Sequence, residues 1–132
     1  MDIKDLHNKF LECGSIVDID SRSIREGSMF FAIKGDNFDG NEFVEEALSK
    51  GAKYAIVDSD SVNIDNSKIL RVKDSLGTLQ KLATFHRTKT NSIVIALTGS
   101  NGKTTTKELI DCVLSSNFKT ISTNGNYNNH IG

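Results

Sequence analysis

The strongest constraint on this chain is a join near residue 98. An uninterrupted apolar run, Ile93-Val94-Ile95-Ala96-Leu97, leads into Thr98-Gly99-Ser100-Asn101-Gly102, and a segment from Lys103 to Leu114 follows with Leu109, Ile110, Val113 and Leu114 facing inward. A short β-branched run without polar alternation is the kind of strand that is buried on both faces of a parallel sheet. The spacing of apolar residues after Gly102 predicts a helix. Strand, glycine-rich turn and helix in that order open a doubly wound α/β fold. Residues 119–122 predict its next strand.

The rest of the chain shows the same alternation. Ile3 to Leu11 predicts a short helix, and residues 28–33 predict a strand that ends in the glycine-bounded turn from Gly35 to Gly40. Asn41 is placed to cap the next helix, whose apolar positions are Phe43, Val44, Ala47 and Leu48 and which stops at Gly51. Strands follow at 54–57 and 69–72. Asp74 then caps a helix with Leu76, Leu79, Leu82, Ala83 and His86 along one stripe. The polar tail Arg87-Thr88-Lys89-Thr90-Asn91 marks a boundary, giving a domain over residues 1–90 and the start of a second over 91–132. One strand–helix–strand unit does not cover both faces of a sheet, so the chain reads as a piece of a longer protein. The expected class is α/β: a small N-terminal α/β domain, then the first strand–loop–helix–strand of a phosphate-loop domain.

Composition excludes several function classes. Lys+Arg 16 against Asp+Glu 17 leaves a net charge of −1, so there is no basic excess to bind bulk nucleic acid or an anionic membrane. The longest apolar run falls far short of the roughly 20 residues of a membrane span. Met1-Asp2-Ile3-Lys4-Asp5 is too acidic for a secretory signal. Cys13 and Cys112 lie far apart without metal-ligand spacing and read as free thiols of a reducing cytosol. Phe30, Phe31 and Phe43 read as core. His7 reads as surface, His86 as the edge of the apolar stripe, and Cys112 as packing.

The chemistry concentrates at Gly99, Ser100, Asn101, Gly102, Lys103, Thr104 and Thr105. A polyphosphate needs backbone N–H groups that approach closely, which glycine permits, and a helix N-terminus aimed at its charge. Lys103 supplies a cation for the outer phosphates, and the Thr104 hydroxyl, one residue further on, suits Mg²⁺. The common phosphate loop has four residues between its glycines. Here Ser100 and Asn101 alone separate Gly99 from Gly102, and Leu97 stands where the first glycine would be.

This shortened loop resembles the ATP loop of the Mur ligase family, cytoplasmic enzymes that build the peptide of the peptidoglycan precursor; folylpolyglutamate synthases share it. The N-terminal residues discriminate. Asp20-Ser21-Arg22, Gly27, Phe30, Ala32, Gly35, Asp39-Gly40, Phe43, Ala47, Gly51-Ala52 and Val57 are similar to the UDP-binding domain of Mur ligases, which folylpolyglutamate synthases lack. Asn124-Gly125-Asn126-Tyr127-Asn128-Asn129-His130-Ile131-Gly132 resembles the stretch found in family members that add a dipeptide, with His130 where an acidic residue is expected. The diamino-acid-adding relative has a threonine-rich stretch there.

The resemblance implies a ligation. ATP phosphorylates the terminal carboxylate of a UDP-N-acetylmuramoyl-tripeptide, and the amine of D-alanyl-D-alanine attacks the acyl phosphate. Lys103 would stabilise the moving phosphoryl charge and Thr104 would hold Mg²⁺. Ser21, Arg22, Gly35, Asp36, Asn37 and Asp39 would meet the UDP substrate, and Asn126, Asn128 and Asn129 would line the cleft. The full-length enzyme is expected to be a cytoplasmic monomer, and this polypeptide alone to bind without turning over. Three readings compete: another Mur ligase, one that adds a diamino acid; a small-molecule kinase, which would need a lid from residues 1–90 and a full-length loop; and a non-catalytic UDP-sugar module.

Overall fold

The computed structural model describes residues 1–62 and 66–125. It divides into two compact units, Met1–Asn91 and a second that begins at Ser92.

The first unit is a three-layer α/β sandwich. Four parallel strands, β1 (Val17–Asp18), β2 (Met29–Phe31), β5 (Tyr54–Val57) and β6 (Ile69–Arg71), lie in the order β1-β2-β5-β6. The register pairs Val17 with Met29, Met29 with Tyr54 and Ala55 with Ile69. Strand residues alternate between the two faces. Met29, Phe31, Ile33 and Ile56 therefore join Leu6 and Phe10 of α1 (Ile3–Glu12) and Leu82 of α3 (Ser75–Lys89) in one cluster. Phe30, Ala32, Ala55 and Val57 join Val44 and Ala47 of α2 (Val44–Ser49) in the other. Burial on both faces explains why residues 29–33 read as an unbroken apolar run rather than an alternating one.

Several elements differ from the sequence expectation. Strand β1 has no sequence pattern long enough to announce it. The segment from Gly35 to Gly40 is an antiparallel hairpin, β3 (Lys34–Gly35) with β4 (Phe38–Asp39), followed by a 3-10 turn over Gly40–Phe43. Asn41 does not cap the helix. Asp39 caps that turn by accepting the Asn41 backbone N–H at 2.9 Å, and the Asn41 side chain is buried. Phe43 is outside the core at 38% exposed. The Asp74 carboxylate accepts the Gly77 N–H as expected, but α3 runs on through Lys89. Cations in a last helical turn are favoured by the helix dipole, so Arg87 and Lys89 extend the helix rather than end it. His7 is buried, not on the surface, because its Nε2 lies 3.0 Å from Nδ1 of His86 on α3.

Among its described residues the second unit holds one regular element, α4 (Lys103–Ser115). The strands expected at 92–97 and 119–122 pair with nothing among the described residues. Without a ladder an apolar run stays in the open: Ile93 is 92% and Ile121 95% exposed. Leu109, Ile110, Val113 and Leu114 were expected inward, yet α4 has no buried residue, and Cys112 is exposed rather than packed. With Ile95, those four line a shallow apolar depression.

Candidate functional site

Two groups of residues carry the expected chemistry, one in each unit. In the second unit the loop before α4 is shaped by its glycines. Gly99 has φ +146° and Gly102 φ +76°, the second in the left-handed region at the N-cap of α4. A side chain at Gly102 would meet no atom, so conformation and not space requires glycine there. No side chain caps the helix. The first intrahelical bond runs from Thr106 N–H to the Gly102 carbonyl at 2.9 Å. Among the described residues, the N–H groups of residues 99–105 therefore meet no acceptor. The first four N–H groups of any helix need partners, and these lie at the positive end of the helix dipole.

Lys103 Nζ donates to the Gly99 carbonyl at 2.5 Å, which holds the ammonium across the turn. Ser100, Asn101, Thr104 and Thr105 are exposed. Uncapped donors, a left-handed glycine and a lysine folded over the turn fit a polyphosphate such as that of ATP. No group of three or more His, Cys, Asp or Glu able to hold a metal occurs among the described residues. A Mg²⁺ here would take the Thr104 hydroxyl and complete its shell from phosphate oxygens and water, the usual habit of that ion.

Residues beyond the expected set fasten the next segment to α4. Lys107 Nζ donates to the carbonyls of Thr123 at 2.5 Å and Gly125 at 3.1 Å, and the Ser122 hydroxyl donates to Asp111 at 3.0 Å. Lys107 and Asp111 are four apart and so share a helix face. Spacing alone was the available signal for them. Asn126, Asn128, Asn129 and His130 lie outside the described residues.

In the first unit the expected substrate residues sit at the carboxyl ends of adjacent parallel strands, the edge where open α/β sheets receive ligands. Ser21 and Arg22 follow β1, and the hairpin follows β2. Asp20 caps the 3-10 turn over Ser21–Ser23 and takes a bidentate pair from Arg22, Nε to Oδ1 at 2.9 Å and Nη2 to Oδ2 at 2.7 Å. Those bonds hold the Asp20 carboxyl at about 2. The Arg22 side chain is 84% exposed. Among the described residues its Nη1 has no partner, which leaves a donor for an anion. Ser21 is buried, and its carbonyl accepts from Lys50 Nζ at 2.9 Å.

Gly35, Asp36 and Asn37 are exposed at the hairpin tip. The Phe38 ring lies where a Gly35 side chain would be, 2.4 Å from the position of an added Cβ. Asp39 is committed inward, accepting from the Asn41 backbone and side chain. Asp58, which sequence reasoning did not single out, lies at the end of β5 and accepts from Asn41 Nδ2 at 2.9 Å and from Ser75 N–H at 3.0 Å. Burial raises its pKa, but the Ser75 N–H, the Asn41 amide and Lys34 outweigh burial and hold the carboxyl below its usual range. Among the described residues no helix is long and apolar enough to cross a membrane.

Known proteins match this arrangement. The model of the Mur ligase family, catalytic domain, matches residues 15–87, and that of the Mur ligase middle domain matches residues 97–132. The UDP-N-acetylmuramoyl-tripeptide–D-alanyl-D-alanine ligase of Bacillus subtilis is 40% identical over 117 residues, covering 88% of this chain and 26% of that protein. The enzyme of the same name from Rickettsia prowazekii is 37% identical, again over 88% and 26%. Among solved structures, the MurF ligase of Thermotoga maritima in complex with ADP superposes with a TM-score of 0.76 at 37% identity, over 86% of this chain and 26% of that one. MurF from Acinetobacter baumannii gives a TM-score of 0.77 at 39% identity, over 87% and 25%. The chain thus spans about a quarter of the length of these relatives. With a family model covering more than half of its residues, the chain belongs to the Mur ligase family.

Proposed function

We propose that this chain is the N-terminal part of a cytoplasmic, monomeric, ATP-dependent ligase that adds D-alanyl-D-alanine to UDP-N-acetylmuramoyl-tripeptide in peptidoglycan precursor synthesis. Residues 1–90 form its UDP-substrate domain, and residues 91–132 begin its ATP domain. The observation that carries the reading is the start of α4, which has no side-chain cap and where Gly102 turns left-handed and the N–H groups around it meet no acceptor among the described residues.

In the complete enzyme the terminal carboxylate of the tripeptide attacks the γ-phosphorus of ATP and ADP leaves. The amine of D-alanyl-D-alanine then adds to the acyl phosphate, and a tetrahedral intermediate collapses with loss of phosphate. Gly99, Ser100, Asn101, Gly102 and Thr105 contribute N–H donors to the phosphates. Lys103 exchanges the Gly99 carbonyl for a phosphate oxygen and stabilises charge as it moves onto the transferring group. Thr104 would hold Mg²⁺, and the ion would supply neutralisation of phosphate charge. Arg22, through its free Nη1, meets the diphosphate of the UDP group. Ser21, Gly35, Asp36 and Asn37 meet its uridine and sugar, and Asp39 supports them from within. Asn126, Asn128 and Asn129 are proposed to hydrogen-bond nucleotide or muramyl groups.

The test is titration of the chain with ATP and Mg²⁺, and separately with the UDP-muramyl-tripeptide, before and after Lys103→Ala. One hydrogen bond to a charged group is worth about 1.5–3 kcal/mol. ATP affinity is therefore expected to fall roughly 10- to 100-fold, with UDP-substrate affinity unchanged. Equal loss of both ligands contradicts the two-site division. UDP-substrate binding in the unaltered chain with no ATP heat favours a non-catalytic UDP-sugar module instead.

A further inference from the structure

We infer that Asn41 and Asp58 are positioning residues that set the pose of the substrate hairpin, an inference that rests on the proposed role of residues 35–37 in holding the UDP substrate. The hairpin has two residues in each strand. A two-stranded hairpin is marginal in water by itself, so something outside it must hold its shape. Asn41 is 5% exposed and uses its side chain in three bonds. Its Nδ2 donates to Asp39 Oδ1 at 2.7 Å and to Asp58 Oδ1 at 2.9 Å, while its Oδ1 accepts the Asp58 N–H at 3.2 Å. Asp58 Oδ2 in turn accepts the Ser75 N–H at the start of α3. One buried amide thus ties the last residue of the hairpin to the carboxyl end of β5 and, through Asp58, to the first residue of α3.

Two further contacts close the bracket. Gly40 N–H donates to the Ile33 carbonyl at 3.0 Å, and a side chain at Gly40 would come within 2.7 Å of the Ile33 backbone. The hairpin base is therefore pressed against the end of β2. Lys34 Nζ lies 3.8 Å from Asp39 and 3.6 Å from Asp58, and balances part of their charge. None of Asn41, Asp39 or Asp58 needs to touch ligand for this to matter. A buried polar network that is fully satisfied selects one arrangement, and one that loses a member leaves its partners unpaired. Gly35, Asp36 and Asn37, at the tip, take whatever arrangement the bracket selects.

The experiment titrates the chain with UDP-N-acetylmuramoyl-tripeptide before and after Asn41→Ala and, separately, Asp58→Asn, well below each melting temperature, so that lost stability alone leaves affinity unmoved. Amide exchange of residues 34–40 is followed in the same samples. The expected result is at least a tenfold loss of affinity for this ligand, unchanged affinity for ATP with Mg²⁺, and faster exchange across the hairpin. Should Asn41→Ala not fold, Asp58→Asn decides, since it keeps the side-chain shape and one carbonyl acceptor. Unaltered affinity in a folded variant overturns the positioning role and leaves the proposed function standing. An unaltered chain that does not bind the UDP substrate overturns that function, and the inference with it.

Discussion

The two halves of this chain use similar sequence material and end in different physical states. Residues 29–33 and 93–97 are both five-residue apolar runs, each preceding a helix with apolar positions at helical spacing. In the first unit the run becomes β2, paired on one side with β1 and on the other with β5, and Phe30 and Phe31 are buried on opposite faces. In the second, no neighbour pairs with residues 93–97 among the described residues, and Ile93 and Val94 stay exposed. Apolar burial is a property of assembled layers, because a strand or an amphipathic helix has nothing to bury itself against until another element supplies a face. The glycine-rich loop before α4 escapes that dependence. Its glycine conformations and its open helix start are local, so they form even where the helix behind them has no buried residue.

The contrast can be broken first in the core. Phe31→Ala should cost about 3–5 kcal/mol in urea unfolding of the first unit, the usual cost of emptying a buried aromatic site. A loss below about 1 kcal/mol would mean that the packing around β2 is not what holds this half together.

Acid gives a smaller effect and tests the contact between α1 and α3. His7 and His86 face each other across those helices, and the contact needs an N–H on one ring and a lone pair on the other. Burial lowers the His7 pKa, and His86 and Lys89 lower it further. The folded value thus lies below the unfolded one, near 6.5. The stabilisation is complete above that unfolded value and is lost as pH falls through the folded one. The urea midpoint should drop as pH falls below the unfolded value of about 6.5, and His7→Leu should flatten the drop. An identical acid limb in the variant would assign the effect to other groups.

The smallest effect belongs to the second unit. Val113 is 69% exposed on α4, so Val113→Ser should change unfolding by no more than about 0.5 kcal/mol, as for most surface positions. A large loss there would show that its apolar face is covered in solution, and the contrast between the halves would narrow.

Legibility followed the range of each interaction. Asp74 announced its helix because a cap acts over three residues, and Gly102 announced the loop because a left-handed turn is a demand of one residue. Strand β1 was illegible because two residues carry no period. His7 looked like surface because the partner that buries it lies 79 positions away. Asn41 looked like a helix cap from its place just before an apolar stripe, but a 3-10 turn capped by Asp39 comes between, and the amide reaches Asp58 instead. Asp58 itself sits 17 positions from both Asn41 and Ser75, with no motif around it.

What the amino acids determined unaided is therefore what depends on near neighbours: an α/β alternation, the apolar runs, the glycine turn before Lys103 and the resemblance carried by those residues. Tertiary structure decided which apolar runs became buried strands, which of the exposed-looking polar residues turned inward, and which groups bond to Asp39 and Asp58. The reason is one of distance along the chain. A turn or a cap closes within a few residues, whereas a ladder, a buried amide or a paired imidazole exists only after segments tens of residues apart have been brought to the same place.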